Sequence, residues 1–206
     1  MSRTLPLEVT SPRAPGPVPL ETDASRRLGP TLHTARLVLR PPIAEDFDGW
    51  AEFSADPEVN RFLGGAQARA AAWRGFACQV GAWQLQGFAM FSVIERASGS
   101  WLGRVGPWQP EGWPGTEVGW GLVRWAWGRG VAIEAARATI DWAFEKLGWT
   151  EVIHCIDPAN APSRALAVRL GAENRGPGKL PAPYETAPIE IWGHSHEAWL
   201  SRRART

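Results

Sequence analysis

The sequence is poor in several features that would place a protein in a class at once. Only two of its 206 residues are cysteines, Cys78 and Cys155, and they lie far apart in the chain. Two isolated cysteines provide neither a disulfide framework nor a zinc knuckle. The formal net charge is only +1, whereas proteins that bind nucleic acid usually carry an excess of basic residues. Composition therefore gives no reason to expect a disulfide-stabilised protein or a nucleic-acid partner.

Long apolar stretches are also missing. No run approaches the roughly 18 apolar residues that a membrane-spanning helix requires. The N-terminus lacks the apolar centre of a secretory signal peptide. We therefore expect a protein of the reducing cytoplasm that binds no membrane.

The composition that remains is that of a globular protein with unusually many tryptophans. Hydrophobic residues make up 44% of the chain and charged residues 21%, which is sufficient for a buried core. The thirteen tryptophans are most simply explained by packing spread over the fold. Residues 1–30 are rich in proline and have no apolar period, which predicts a flexible leader. The folded domain is expected at 31–206.

Apolar periodicity predicts strands and helices in a mixed order along this domain. Strands are expected at 33–40, 88–94, 101–108, 116–123 and 151–156, with a final strand or two within 189–199. Helices are expected at 44–56, 66–85, 131–147 and 162–170. This order predicts an α/β (α+β) domain, in which a mixed sheet carries helices on its faces.

The most informative segment is 119–132 (GWGLVRWAWGRGVA), which leads directly into the long helix. The start of a helix leaves about four backbone N–H groups unpaired and carries a partial positive charge. Gly128 and Gly130 let the backbone approach a bulky ligand, so the segment suits a pyrophosphate. A P-loop is excluded because no Gly-Lys-Ser/Thr follows, and a dinucleotide fingerprint lacks its third glycine. A glycine-rich turn without a ligand explains the glycines alone equally well.

A resemblance to a known family decides between these readings. Residues 127–132 (WGRGVA) resemble the (Arg/Gln)-x-x-Gly-x-(Gly/Ala) motif of the GCN5-related N-acetyltransferases (GNATs). The wider run to Ala135 is similar to the RimJ/RimL subgroup. Further similarities are TARLVLRP at 34–41, DPEVN at 56–60, NAPS at 160–163 and LG at 170–171. The resemblance covers about residues 31–200.

The resemblance implies a mixed, mostly antiparallel sheet in which the strands before and after the long helix splay apart. Acetyl-CoA would lie in that gap, with its pyrophosphate on the helix N-terminus and its pantetheine along the strand around Leu122. Trp127 departs from the motif, so it either lines the cofactor or only packs. The implied cofactor-binding residues are Leu122, Val123, Trp127, Gly128, Arg129, Gly130, Val131, Ala132, Asn160 and Ser163.

Glu117 is the candidate general base for such a transfer. In a regular strand it shares one face with Gly119 and Gly121, which leave room for a ligand beside the carboxylate. Desolvation there would raise its pKa toward the useful range. The family often has a glutamate on this strand that receives the amine proton, usually through water. The alternative is a surface glutamate, and a β-bulge would remove the shared face.

The general acid is less defined. Many relatives carry a tyrosine seven residues after the asparagine, where this chain has Ala167. Ser163 could protonate the leaving thiolate or only cap a helix, and the thiolate could also leave unaided. Tyr184, the single tyrosine, could reach the acceptor site or serve the turn. His194 and His196 have no third ligand in sight, so no metal is expected.

The family resemblance implies transfer of an acetyl group from acetyl-CoA to a primary amine, without a metal. The acceptor would be a protein N-terminus, which the RimJ/RimL similarity favours, or a small-molecule amine. A CoA-binding regulatory protein without turnover is the alternative. The acceptor pocket is expected within residues 43–85, with Phe47, Trp50, Phe62 and Trp73 as wall residues. Both a monomer and a homodimer stay open.

Overall fold

An eight-stranded sheet organises residues 16–204, the part of the chain that the computed structural model describes. The strand order is β1-β2-β3-β4-β5-β6-β8-β7. The strands are β1 (Leu32–His33), β2 (Leu37–Arg40), β3 (Phe91–Glu95), β4 (Trp101–Trp108), β5 (Glu117–Leu122), β6 (Glu151–Ile156), β7 (Glu173–Gly178) and β8 (Ile189–Ser195). All neighbouring strands run antiparallel except β5 and β6.

Six α-helices flank this sheet within the described residues. They are α1 (Asp23–Leu28), α2 (Phe47–Ala55), α3 (Arg69–Gln86), α4 (Val131–Lys146), α5 (Ala161–Leu170) and α6 (His196–Arg203). In the stretch from 16 to 204, none of the helices is both long and apolar enough to cross a membrane. The predicted mixed, mostly antiparallel sheet flanked by helices is confirmed.

Three local predictions differ from the structure. The strand predicted at 33–40 is the hairpin β1–β2, because the Thr34 hydroxyl accepts the Leu37 N–H at 2.9 Å and closes a turn. The last part of 189–199 is helix α6 rather than strand, since Ser195 caps it by accepting the Ala198 N–H. No strand was predicted at β7, because its sequence, ENRGPG, shows no apolar alternation.

Residues 16–30, predicted as part of a flexible leader, pack against the rest of the protein. Thr22 and Ser25 form a capping box that starts α1, and Ser25 is fully buried. Val18 belongs to an apolar cluster, and Gly29 lies against the ring of Trp83. Ordered structure therefore begins before the expected boundary at Thr31. The remainder of the predicted leader, 1–15, lies outside the described residues.

The two faces of the sheet bury separate apolar clusters. The face that carries Val118 and Leu122 packs on α4, whose Ala135 and Ile140 are fully buried. The opposite face packs on α2 and the start of α3 through an aromatic cluster. Its aromatic members are Trp50, Phe53, Phe76 and Trp101. The tryptophans therefore contribute to packing on both faces.

Strands β5 and β6 touch at one point and then separate. Their parallel pairing has a single register pair, Glu117 opposite Ile153, and the Ile153 N–H donates to the Thr116 carbonyl at 2.9 Å. The other strand pair of β5, with β4, extends over six residues. A gap therefore opens toward the C-terminal ends of β5 and β6, as the resemblance implied.

A fully buried ion pair joins the N-terminal segment to the sheet. Arg40 and Asp46 form a two-pronged pair, in which Nη1 and Nη2 each lie 2.7 Å from a carboxylate oxygen, and both side chains are inaccessible. The remaining guanidinium donors reach the carbonyls of Pro19 and Pro41. On the other side, the Asp46 carboxylate accepts from the Ser92 hydroxyl at 2.7 Å. Backbone carbonyls and a hydroxyl thus satisfy the charges of this pair, which offsets its desolvation.

We predict that Asp46→Ala destabilises the protein by about 3–5 kcal/mol, because it leaves a buried guanidinium without its carboxylate. Asp48→Ala is the matched control, since Asp48 pairs with Arg69 at the surface and such pairs contribute less than about 1 kcal/mol. Urea unfolding of both variants measures the free energies. Equal effects of the two substitutions would contradict the importance of the buried pair.

Candidate active site

The glycine loop, residues 127–132, leads from β5 into α4 in an unusual backbone conformation. Gly128 and Gly130 have φ angles of +70° and +76°, in the left-handed region that favours glycine. Helix α4 begins at Val131, and its N-cap, Gly130, provides no side-chain cap. A Cβ on Gly128 would meet nothing within 4 Å. The first-turn amides of α4 therefore face an uncovered space beside the gap.

Arg36 and Glu134 hold this loop in place from below. The Arg36 Nη1 donates to the Arg129 carbonyl at 2.9 Å, and its Nε donates to the Glu134 carboxylate at 2.7 Å. The Thr34 hydroxyl donates to the same carboxylate at 2.6 Å. Partial burial acts to raise the pKa of Glu134, but these hydrogen bonds outweigh it and lower the pKa. Glu134 is therefore charged at neutral pH and keeps Arg36 beneath the loop.

The side chains of the loop point in other directions than its amides. The Arg129 guanidinium pairs with Glu95 at 2.5 Å, so this residue presents only its backbone to the uncovered space. Trp127 donates its indole N–H to the Leu122 carbonyl at 2.9 Å and leaves its ring 45% exposed. The backbone of Leu122 is thus already engaged in the absence of ligand.

The edge of β5 that faces the gap has its backbone groups satisfied in an unusual way. Successive strand residues point their main-chain groups to alternate sides, so Thr116, Val118, Trp120 and Leu122 share this edge. Thr116 bonds β6, and the Val118 carbonyl accepts from Nδ1 of His154 at 2.7 Å. The Trp127 indole donates to the Leu122 carbonyl, and β6 has already separated from β5 at the level of Trp120. The main chain of Trp120 is thus the part of this edge left for a ligand.

Ser163 and Asn160 stand across the gap from Trp120, at the start of α5. The Asn160 Oδ1 accepts the Ser163 N–H at 3.2 Å and so caps the helix. The Ser163 hydroxyl accepts the Trp120 indole N–H at 3.1 Å, which leaves its own proton free to be donated. Ala167, where many relatives carry a tyrosine, is fully buried. The cap of α5 is therefore Asn160 rather than Ser163.

Glu117 lies at the point where the two strands part. Its residue is only 7% exposed, which excludes the alternative of a surface glutamate. One carboxylate oxygen accepts the Cys155 N–H at 3.1 Å, and the other accepts the Trp113 indole N–H at 2.5 Å. Burial raises the pKa of Glu117, although these hydrogen bonds oppose the shift. This carboxylate can therefore take up a proton at a pH above the ordinary pKa of a glutamate.

The pairing of β4 and β5 contains no bulge, so the predicted shared face of Glu117, Gly119 and Gly121 is confirmed. The expected free room beside the glycines is wrong, however. The Met90 Cε lies 2.7 Å from the position that a Cβ on Gly119 would take, and the Phe53 ring lies 2.8 Å from that of Gly121. The glycines make room for these two side chains rather than for a ligand directly.

Sequence reasoning missed Arg104, which lies on this same face opposite Gly121. Its guanidinium is 5.4 Å from the centre of the Trp50 ring, a predicted wall residue, and 5.8 Å from that of Phe53. A signal was present, since Arg104 is the one charged residue in the apolar strand WLGRVGPW. The other predicted wall residues lie farther out, with Phe47 and Trp73 packed edge to face and Phe62 beside Arg61.

The histidines contribute to the fold. Burial lowers the pKa of His154 to about 3, so its neutral ring serves to cap the Val118 carbonyl. His194 and His196 both pack against the Phe144 ring, at 5.9 Å and 4.5 Å between centroids. Across residues 16–204 no cluster of three or more His, Cys, Asp or Glu that could hold a metal occurs.

Comparisons with known proteins agree with this geometry. A family model described as "Acetyltransferase (GNAT) domain" matches residues 36–173. The chain is 30% identical over 149 residues to the "Uncharacterized N-acetyltransferase p20" of Bacillus licheniformis, which covers 71% of this chain and 84% of that protein. It is 32% identical over 162 residues to the "FsC-acetyl coenzyme A-N(2)-transacetylase" of Aspergillus fumigatus, covering 69% of this chain and 64% of that protein.

A solved structure gives the same result in three dimensions. The crystal structure of the acetyltransferase from Agrobacterium tumefaciens C58 matches with a TM-score of 0.71 and 30% identity, covering 81% of this chain and 95% of that one. The family model spans more than half of the chain, and the splayed strands and glycine loop lie within the matched region. The chain belongs to the GNAT family and is an acetyltransferase.

Proposed function

We propose that this enzyme transfers an acetyl group from acetyl-CoA to a primary amine, with the thioester held in the gap between β5 and β6. The observation that carries the proposal is the uncapped N-terminus of α4 beside the wide end of this gap. Backbone amides and the helix dipole there suit a diphosphate. The names of two relatives support it, because one is an N-acetyltransferase and the other uses acetyl coenzyme A.

Binding would divide between the loop and the strand edge. The amides of Gly128, Arg129, Gly130, Val131 and Ala132 would bind the pyrophosphate. The main chain of Trp120 would pair with the pantetheine or donate its N–H to the developing oxyanion. Contact with Leu122 and Val123 would require Trp127 to release the Leu122 carbonyl, since the Val123 N–H already donates to Leu102 at 2.9 Å. Asn160 would keep Ser163 at the opposite side of the gap.

The chemical step needs a base for the amine and a proton donor for the leaving thiolate. A neutral amine forms a bond to the thioester carbon, and the C–S bond breaks. Glu117 would accept the proton that the amine loses, through a water molecule because its carboxylate is buried. Ser163 would return a proton to the sulfur. An α-amino group with a pKa near 8 is partly neutral at pH 7, whereas a lysine amine with a pKa near 10.4 is almost fully charged.

Gly130→Asp is predicted to weaken binding of coenzyme A by about 100-fold or more, because it adds a negative charge at the N-terminus of α4, beside the amides that would hold the diphosphate. Gly148→Asp is the matched control. Gly148 has the same kind of positive φ, +67°, and open surroundings, but it follows the opposite end of α4. Calorimetry should give a normal affinity for this control. Normal affinity of Gly130→Asp would reject the proposed cofactor site.

Glu117→Gln should lower kcat at saturating amine by about 10²- to 10⁴-fold, the usual contribution of a general base. The base must be deprotonated, so the wild-type rate should rise with pH through a limb above 4.5, the ordinary value for glutamate. That limb should be absent in the variant. Glu111→Gln changes an exposed glutamate in the preceding turn and serves as control. A variant with full turnover and an unchanged pH profile would exclude the base role.

Ser163→Ala tests the acid role separately. We expect kcat to fall about tenfold or more while the helix cap stays intact, because Asn160 caps through the backbone of Ser163. Trp120→Phe removes the same side-chain hydrogen bond from its other end but keeps the hydroxyl proton. Equal losses in both variants would assign Ser163 a packing role only.

A further inference from the structure

Arg104 is a half-buried cation without a carboxylate partner. Within residues 16–204, no Asp or Glu oxygen lies within 4.0 Å of its guanidinium. Its Nη1 contacts only the Met90 sulfur, and its Nε–H is shielded from solvent without an acceptor. A guanidinium has five N–H donors, and leaving such a group unpaired inside a protein is unfavourable. Glu117 is near enough to interact electrostatically, but the guanidinium keeps N–H donors that no carboxylate of the described residues accepts.

The same guanidinium lies next to the proposed base. The Met90 thioether joins the two, since its sulfur contacts Arg104 and its Cε lies over Gly119, where Glu117 Oε1 is 3.5 Å from the Cβ position. The Glu117 oxygens are taken by N–H groups of Trp113 and Cys155, so this carboxylate does not neutralise Arg104 by direct contact. The Arg104 guanidinium and the Glu117 carboxylate thus lie near opposite ends of the Met90 side chain.

Aromatic rings cover the Arg104 guanidinium on the side of α2, and the residue remains partly exposed. Trp50 and Phe53 from α2 cover the guanidinium. Tyr184 lies at the mouth, 41% exposed and 3.4 Å from the Cβ position of Gly64. It is close enough to Arg104 to interact with it electrostatically. Glu117 and Tyr184 thus both lie near Arg104, and Tyr184 is the exposed one of the two.

We propose that Arg104 binds a carboxylate of the acceptor, so that the preferred substrate is a small primary amine that also carries a carboxylate. The planar guanidinium forms two parallel hydrogen bonds with a carboxylate, a geometry that fixes the orientation of a small ligand. The amine end then lies toward Glu117. This inference rests on the proposed acetyl transfer and narrows its acceptor to amino-acid-type compounds.

The test compares amines that differ only in whether the carboxylate is free or converted to a carboxamide. Suitable pairs are glycine and glycinamide, β-alanine and its amide, and 4-aminobutyrate and its amide. Values of kcat/KM with acetyl-CoA are measured for the full chain. We expect at least one acid to exceed its amide by about 30-fold or more, because loss of a buried charge partner is costly. Arg104→Gln should bring this ratio near one, because the acids lose rate relative to their amides.

Two further variants keep the test decisive. Arg175→Gln removes an exposed arginine that pairs with Glu151 on the far edge of the sheet, and its ratio should equal that of the wild type. Arg104→Lys retains the charge but not the two-pronged geometry, so the ratio should fall at least fivefold even if the Gln variant does not fold. A wild-type enzyme that acetylates amides and peptides as well as acids overturns the inference alone. Release of no thiol with any amine overturns the proposed function instead.

Discussion

The single register pair between Glu117 and Ile153 is the constraint on which the rest of the site depends. Beyond it β5 and β6 separate, so main-chain groups that a continuous sheet would pair lose their partners. Side chains replace the missing strand contacts. The carboxylate of Glu117 accepts the Cys155 N–H, His154 donates to the Val118 carbonyl, and Trp127 donates to the Leu122 carbonyl. The gap stays open because its edges are satisfied by side chains, with Trp120 left between them.

This arrangement gives Glu117 a structural role and an environment that suits the proposed role of base. It closes the end of the gap structurally, and the same burial that this requires shifts its pKa in the direction that a base needs. Arg104 shows a related pattern on the neighbouring strand, where aromatic rings cover the guanidinium and it forms no ion pair with the described residues. Under the proposed function, these two charges would serve the groups of a ligand, as in a site preorganised for its substrate.

Much of the fold could be predicted from the sequence, for identifiable reasons. Helix α4 has an apolar period of three to four residues and β6 is continuously apolar, so both were located within a residue or two. The conformation of the glycine loop followed from Gly128 and Gly130, because only glycine adopts positive φ angles easily.

The features that were missed depend on contacts distant in sequence. Strand β7 is held by its pairing with β8 rather than by its own composition. The position of Arg104 against α2 follows from tertiary packing, which no local pattern encodes. The space beside Gly119 was wrongly predicted to be free for the same reason. Met90, the residue before β3, fills it.

The family match begins at residue 36, yet the stretch before it is part of the interior. The Pro19 carbonyl accepts two N–H groups from the inaccessible Arg40, and Trp83 packs against Gly29. An enzyme that began at residue 36 would therefore lose the carbonyl that accepts two of the Arg40 N–H groups, and only Asp46 and the Pro41 carbonyl would still bind the guanidinium. The region that matches the family model is thus smaller than the unit that packs together in the structure.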